Sequence, residues 1–155
     1  MEKWIKNVQE RWASEYGSKS GDHVYTTKNK AYGEYSIAST GYLSENGSHG
    51  SHWTLSRKRR ALKELGFLRC LNAARGVHFK RAHVTAFVQY PTGCRADPTN
   101  AAPSAKPIID GFTRAGLWAD DDSRHVLGPD FRREEGTTGV RGLHRIRFVV
   151  EEIGE

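Results

Sequence analysis

Residues 82–129 read AHVTAFVQYPTGCRADPTNAAPSAKPIIDGFTRAGLWADDDSRHVLGP, and the change of period along this stretch decides the fold. Ala82, Val84, Ala86 and Val88 alternate with His83, Thr85, Phe87 and Gln89, the two-residue repeat of a strand that buries one face. Pro91, Gly93 and Pro98 then mark a loop that delivers Asp97, and loops leaving strand ends are common seats for functional side chains. Ile108, Ile109, Phe112 and Ala115 follow at helical spacing, with Pro103 or Pro107 near the first turn and Gly116 at the close. Asp120, Asp121 and Asp122 arrive directly after that helix, and residues 125–127 read as a further short strand.

The neighbouring segments extend the pattern. Towards the C-terminus, LHRIRFVVEEI sets Ile146, Phe148 and Val150 against Arg145, Arg147 and Val149, a second strand with one buried face. Between the two lies a polar, glycine-containing stretch, residues 132–142, read as a mobile loop. Upstream, a helix beginning near Trp53 and running to about residue 75 places Leu62, Leu65, Leu68 and Leu71 on an inward stripe, with Gly76 as its stop. Residues 22–40 contain short runs rich in Tyr and Thr on either side of a turn at Asn29 and Lys30. Residues 2–16 place Trp4, Ile5, Val8 and Trp12 on one helical face, an amphipathic helix that packs on the domain or docks a partner. The order of elements implies an α/β (α+β) chain: a single two-layer domain, a small mixed sheet with helices packed on it and an N-terminal helical extension.

At 155 residues the chain supports one core. Lys and Arg outnumber Asp and Glu by 24 to 18, for a formal net charge of +6, which favours anionic partners without choosing among them. Two cysteines, Cys70 and Cys94, without CxxC spacing indicate neither a disulfide framework nor a structural zinc site. The charged N-terminus has no signal-peptide core, and no stretch reaches the about 18 apolar residues of a membrane span, so the expected setting is cytoplasmic, with no membrane partner.

The chemistry concentrates in carboxylates. Three adjacent aspartates repel one another, so the run at 120–122 faces water or is neutralised by a cation, and oxygen-rich sets suit magnesium. Lys106 and Asp110 lie one helical turn apart and are placed to pair with each other. Arg57, Lys58, Arg59, Arg60 and Lys63 make the strongest basic patch, either a solvated face or a grip on phosphates. An acidic site in a basic chain points to metal-assisted chemistry on a polyanion.

With those pieces in order, residues 42–153 resemble the RusA family of crossover junction endodeoxyribonucleases, small and often phage-borne resolvases of Holliday junctions. The resemblance is carried by LSENG and HW before the basic helix, AHVTAFVQYP, RADPTN, AKPIIDGFTRAGLW, the DDD run with HVLGPD, and the closing strand. It implies residues 1–40 as an extension and 41–155 as an endonuclease domain, acting as a homodimer that cuts four-way DNA junctions with Mg2+ or Mn2+. The implied roles are metal binding for Asp97, Asp121 and Asp122, catalysis for those three with Lys106, and DNA contact for Arg57, Lys58, Arg59, Arg60, Lys63 and Asn100. Thr99 stands where the family pattern has an aspartate, so a catalytically impaired junction binder or a phage adaptor is the alternative expectation.

Overall fold

The computed structural model describes residues 24–26, 30–47, 50–74 and 76–154. The expected N-terminal helix at residues 2–16 and the turn residue Asn29 lie outside them. Five strands form one mixed sheet: β1 (Val24–Thr26), β2 (Lys30–Ala38), β3 (Ala82–Gln89), β4 (Val126–Arg133) and β5 (Leu143–Glu152), in the spatial order β1-β2-β5-β3-β4. The helices among the described residues are α1 (His52–Ala73) and α2 (Ala102–Arg114), with a 3-10 turn at Pro98–Ala101 leading into α2. The expected α/β class with a small mixed sheet is borne out. Strands β1 and β2 belong to the same sheet as β3, β4 and β5, on either side of the division expected at residue 40.

Strand β5 is central because its alternating pattern satisfies two neighbours at once. It pairs antiparallel with β2 from Lys30↔Glu151 to Ala38↔Leu143 and antiparallel with β3 from Ala82↔Glu152 to Gln89↔Arg145. The alternation read from sequence is the one observed: Ala82, Val84, Ala86, Val88, Ile146, Phe148 and Val150 are all buried, and their sequence neighbours turn to the opposite face. β3 and β4 run parallel, which requires a crossover, and α2 supplies it. The ladder shifts between His83 and Thr85, where Gly128 sits at φ +95° and an added Cβ would lie 2.4 Å from the Val84 carbonyl oxygen.

Strand β4 continues to Arg133, well beyond the short strand expected at 125–127, because parallel pairing with β3 extends to Val88↔Arg133 through residues with no apolar alternation. The loop after it, expected to be mobile, is pinned. Thr138 N donates to the Tyr90 carbonyl at 2.9 Å and Thr138 Oγ1 to the Leu143 carbonyl at 2.8 Å.

The core lies between the sheet and the two helices, centred on Tyr35, Phe112, Phe148 and Trp118. Phe112 meets Phe148 edge-on with centroids 5.5 Å apart, and Trp118 donates its indole N–H to Thr113 Oγ1 at 2.7 Å, so its polar atom is satisfied despite near-complete burial. The inward face of α1 differs from the leucine stripe read from sequence. Leu62, Gly66 and Cys70 are buried, whereas Leu68 and Leu71 are 47% and 38% exposed. The cause is the crossing with α2: a Cβ on Gly66 would lie 2.3 Å from the Ile108 carbonyl oxygen, and one on Gly111 would lie 2.4 Å from that of Lys63. The backbones approach so closely that glycine, not leucine, selects the buried face. Cys70 and Cys94 are both free, and burial pushes the Cys70 thiol up to about 12.

Candidate functional site: a mixed-charge cleft beside α2

The site is built from the N-terminal half of α2 outward. Ser104, fully buried on the first turn of α2, donates its hydroxyl to the Leu43 carbonyl at 2.7 Å and accepts from Leu43 N. Glu45 N donates to the Asn100 carbonyl at 3.0 Å. These bonds clamp the loop before α1 onto the start of α2 across a long sequence separation and present Glu45 beside Lys106. Glu45, Arg59, Lys106, Asp110 and Asp121, with Ala102, Pro103 and Pro107, line one open cleft of about 540 Å³.

The three aspartates after α2 have different partners. Asp120 Oδ1 accepts from Asp121 N at 2.8 Å. Asp122 is consumed by its turn: Oδ1 accepts from Arg124 N and from His125 Nδ1 at 2.7 Å, and Oδ2 takes the Arg124 guanidinium at 2.8 Å. Only Asp121 of the run lines the cleft. The Arg124 guanidinium, with His125, holds the Asp122 carboxyl far below the usual carboxylate range. Because its folded pKa lies below the unfolded one, Asp122 stabilises the fold above the unfolded value, and that contribution is lost as pH falls through the folded value. Asp122→Asn is therefore expected to flatten the acid limb of a stability-against-pH curve measured by urea unfolding. An unchanged acid limb would show that these bonds do not persist in solution.

Asp97 is likewise occupied. Its Oδ1 accepts from Thr99 N at 3.0 Å and from Thr99 Oγ1 at 2.8 Å, capping the 3-10 turn and lowering its carboxyl pKa. Thr99 thus stands as the donor to Asp97. The Asn100 backbone N–H closes the turn on the Asp97 carbonyl at 3.0 Å. Magnesium was the expected ligand of Asp97, Asp121 and Asp122, yet two of these three carboxylates are spent on local bonds. Among the described residues no three His, Cys, Asp or Glu side chains gather as a metal-binding group.

Lys106 and Asp110 were expected to pair. Neither forms an ion pair among the described residues, and the same holds for Glu45, Arg59 and Asp121. Burial, reinforced by the nearby Asp121 charge, raises the Asp110 pKa above the usual carboxylate value, with Lys63 and Lys106 opposing the shift. Of the basic patch, Arg59 alone lines the cleft; Arg57, Arg60 and Lys63 are exposed elsewhere on α1 and Lys58 is half-buried. Glu45 was missed by sequence reading because its placement depends on the Ser104 clamp, which leaves no local signature.

No family model matches the chain, and no curated protein matches it. Solved structures similar to it include the periplasmic domain of MotB, at 11% identity over 95% of this chain and 84% of that one with a TM-score of 0.40. The cell wall anchor of the T6SS from Pseudomonas aeruginosa is 11% identical over 92% of this chain and 96% of that one, TM-score 0.42. A putative MotB-like protein from Desulfovibrio vulgaris is 15% identical over 97% and 94%, TM-score 0.39.

These comparisons correct the RusA identification. The structures found are described as periplasmic and cell-wall-anchoring domains, not as junction resolvases. The metal-dependent endonuclease activity, the impaired-resolvase and adaptor alternatives, the branched-DNA partner with its homodimer, and the cytoplasmic setting are corrected with it. Two of the three carboxylates expected to hold a metal bond to local partners, Asp97 to Thr99 and Asp122 to Arg124 and His125. Among the described residues no helix is long and apolar enough to cross a membrane.

Proposed function

We propose that the chain is a non-catalytic binding domain whose cleft takes a ligand carrying both ammonium and carboxylate groups on a short frame, the chemistry of a small peptide with free ends. One observation carries this reading: two cationic and three anionic side chains, Arg59 and Lys106 with Glu45, Asp110 and Asp121, line a single cleft without pairing among themselves. A polyanion entering there meets three carboxylates, and a polycation meets two positive groups, whereas a ligand of mixed sign satisfies both sets. The cavity volume falls within the range of small-molecule sites, roughly 300–1,000 Å³. The raised pKa of Asp110 fits the same reading, since an incoming ammonium offsets the repulsion from Asp121.

Calorimetric titration of the purified chain at low salt with short peptides, free or blocked at either end, tests this. Free peptides are expected to bind, and blocking either end to weaken binding. Lys106→Gln and Asp110→Asn are each expected to weaken it by about tenfold, equivalent to about 1.4 kcal/mol. Equal affinity in both variants, or binding indifferent to blocked ends, would reject the reading. Magnesium and manganese are separate arms, since Asp110 and Asp121 are the carboxylates a divalent cation would compete for. Co-sedimentation with purified cell wall asks whether the anchoring role named for one structural neighbour extends to this chain.

A further inference from the structure

The outward face of α1 carries side chains that the cleft beside α2 does not use. Leu62, Gly66 and Cys70 turn inward, with Gly66 against the Ile108 backbone, and this fixes which side of the helix looks away from the core. Trp53, Arg57, Arg60, Leu68 and Leu71 recur on that outer side at intervals close to whole helical turns, and all five are exposed. Trp53 is 80% exposed, the most open of the large apolar side chains among the described residues. Leu68 and Leu71 close the stripe about 27 Å further along the helix, at its rise of about 1.5 Å per residue. The charge between these ends has one sign: residues 52–63 contain Arg57, Lys58, Arg59, Arg60 and Lys63 and no acidic residue. Glu64 follows on the outer side, where Arg114 offsets its charge at 2.9 Å.

We infer that this face of α1 docks on an anionic lipid surface, with Trp53, Leu68 and Leu71 at the acyl boundary and Arg57 and Arg60 among the headgroups. Charge complementarity selects the occupant. Five cations with no carboxylate among them are attracted to a surface of uniform negative sign, and each gains only within about a Debye length of it. The apolar positions then decide between anionic surfaces: two leucines in line with the arginines gain by entering a lipid interface and gain nothing along a sugar-phosphate backbone. An indole suits the same boundary, since its ring is apolar and its N–H stays wet. Arginine stems lie along apolar surface while their guanidinium groups reach the phosphates, so both kinds of side chain work from one face. The expectation of no membrane partner rested on the want of a spanning segment, which a helix lying in the interface plane does not need. Arg59, which lines the α2 cleft, is not required, and this surface stands independently of the ligand proposed there.

The test is co-sedimentation of the full chain at low salt with vesicles of phosphatidylcholine alone or of phosphatidylcholine mixed with phosphatidylglycerol. Binding is expected to the anionic vesicles only, and to weaken steeply as salt is added. Replacing Arg57 and Arg60 together, Arg57→Gln with Arg60→Gln, is expected to weaken it about 30-fold, from roughly fivefold per cation at an anionic surface. Trp53→Ser is expected to weaken it at least about tenfold, as the largest apolar group on the face is lost. A second readout needs no loss of affinity: brominated phosphatidylglycerol is expected to quench the tryptophan fluorescence of the parent chain and to quench that of Trp53→Phe far less. Equal binding to neutral vesicles, full affinity in the double arginine variant, undiminished quenching in Trp53→Phe, or tighter binding to duplex DNA than to anionic vesicles at equal phosphate would overturn the inference.

Discussion

Gly66→Ala is expected to destabilise the domain by about 3 kcal/mol, although alanine is the better helix former by about 1 kcal/mol. The two effects have opposite signs, so the sign of the measurement decides between them. In an exposed helix the substitution stabilises, because glycine loses more backbone entropy on folding. Here the new Cβ would lie 2.3 Å from the Ile108 carbonyl oxygen and 3.0 Å from its Cα, and backbone atoms cannot rotate out of the way as a side chain can. Relief requires α1 and α2 to separate, which opens gaps along a packed interface. Gly111→Ala meets the same obstacle from the other helix, with the Lys63 carbonyl oxygen at 2.4 Å and Phe67 N at 2.5 Å. Denaturant unfolding checks both: a lower midpoint at unchanged slope is expected, and an equal or higher midpoint would show that the helices do not cross at these glycines.

Phe112→Ala is expected to cost about 3–5 kcal/mol, the range for removing a buried aromatic ring without collapse of the space it leaves. The ring is 4% exposed and meets three others: Phe148 at 5.5 Å, Tyr35 at 6.0 Å and Trp118 at 6.3 Å between centroids. These tie α2 to β2, to β5 and to the segment after the helix, so no single neighbour can move in without breaking its own contacts. Because Lys106 and Asp110 ride on α2, the substitution is also expected to weaken ligand binding in the α2 cleft without touching it directly. A loss below about 1 kcal/mol would mean that the aromatic cluster is not what docks α2.

Much of the fold was legible from side-chain period. The alternation of Ala82–Gln89 and of residues 143–150 named the buried residues of β3 and β5 correctly, because a strand with one face on a core must alternate. Helix α2 was readable for a similar reason: Pro103 sits in its first turn and Gly116 follows it at φ +85°. The inward face of α1 was misread because hydrophobic period cannot register a contact made by backbone, and Gly66 contributes no hydrophobicity to the count. Strand β4 was cut short for the same kind of reason, since most of it, residues 128–133, is held by ladder bonds to β3 and not by an apolar face.

The site was legible in its parts and not in its assembly. Lys106, Asp121 and Arg59 were singled out and do line one cleft. Asp97 and Asp122 were singled out with equal reason, and each instead serves its own turn, as carboxylates near Thr99 and Arg124 do when a local donor is closer than any ligand. Composition and spacing show which groups are present but not which are already satisfied.

The central claim is that Glu45, Arg59, Lys106, Asp110 and Asp121 act together on one small ligand of mixed charge. Amide mapping by 15N NMR during titration with a free-ended peptide tests it most directly. The account predicts saturable shifts concentrated at Glu45, Lys106, Asp110 and Asp121, reduced in Lys106→Gln and suppressed by salt. Shifts that spare all four residues, with the peptide bound elsewhere or not at all, would contradict it.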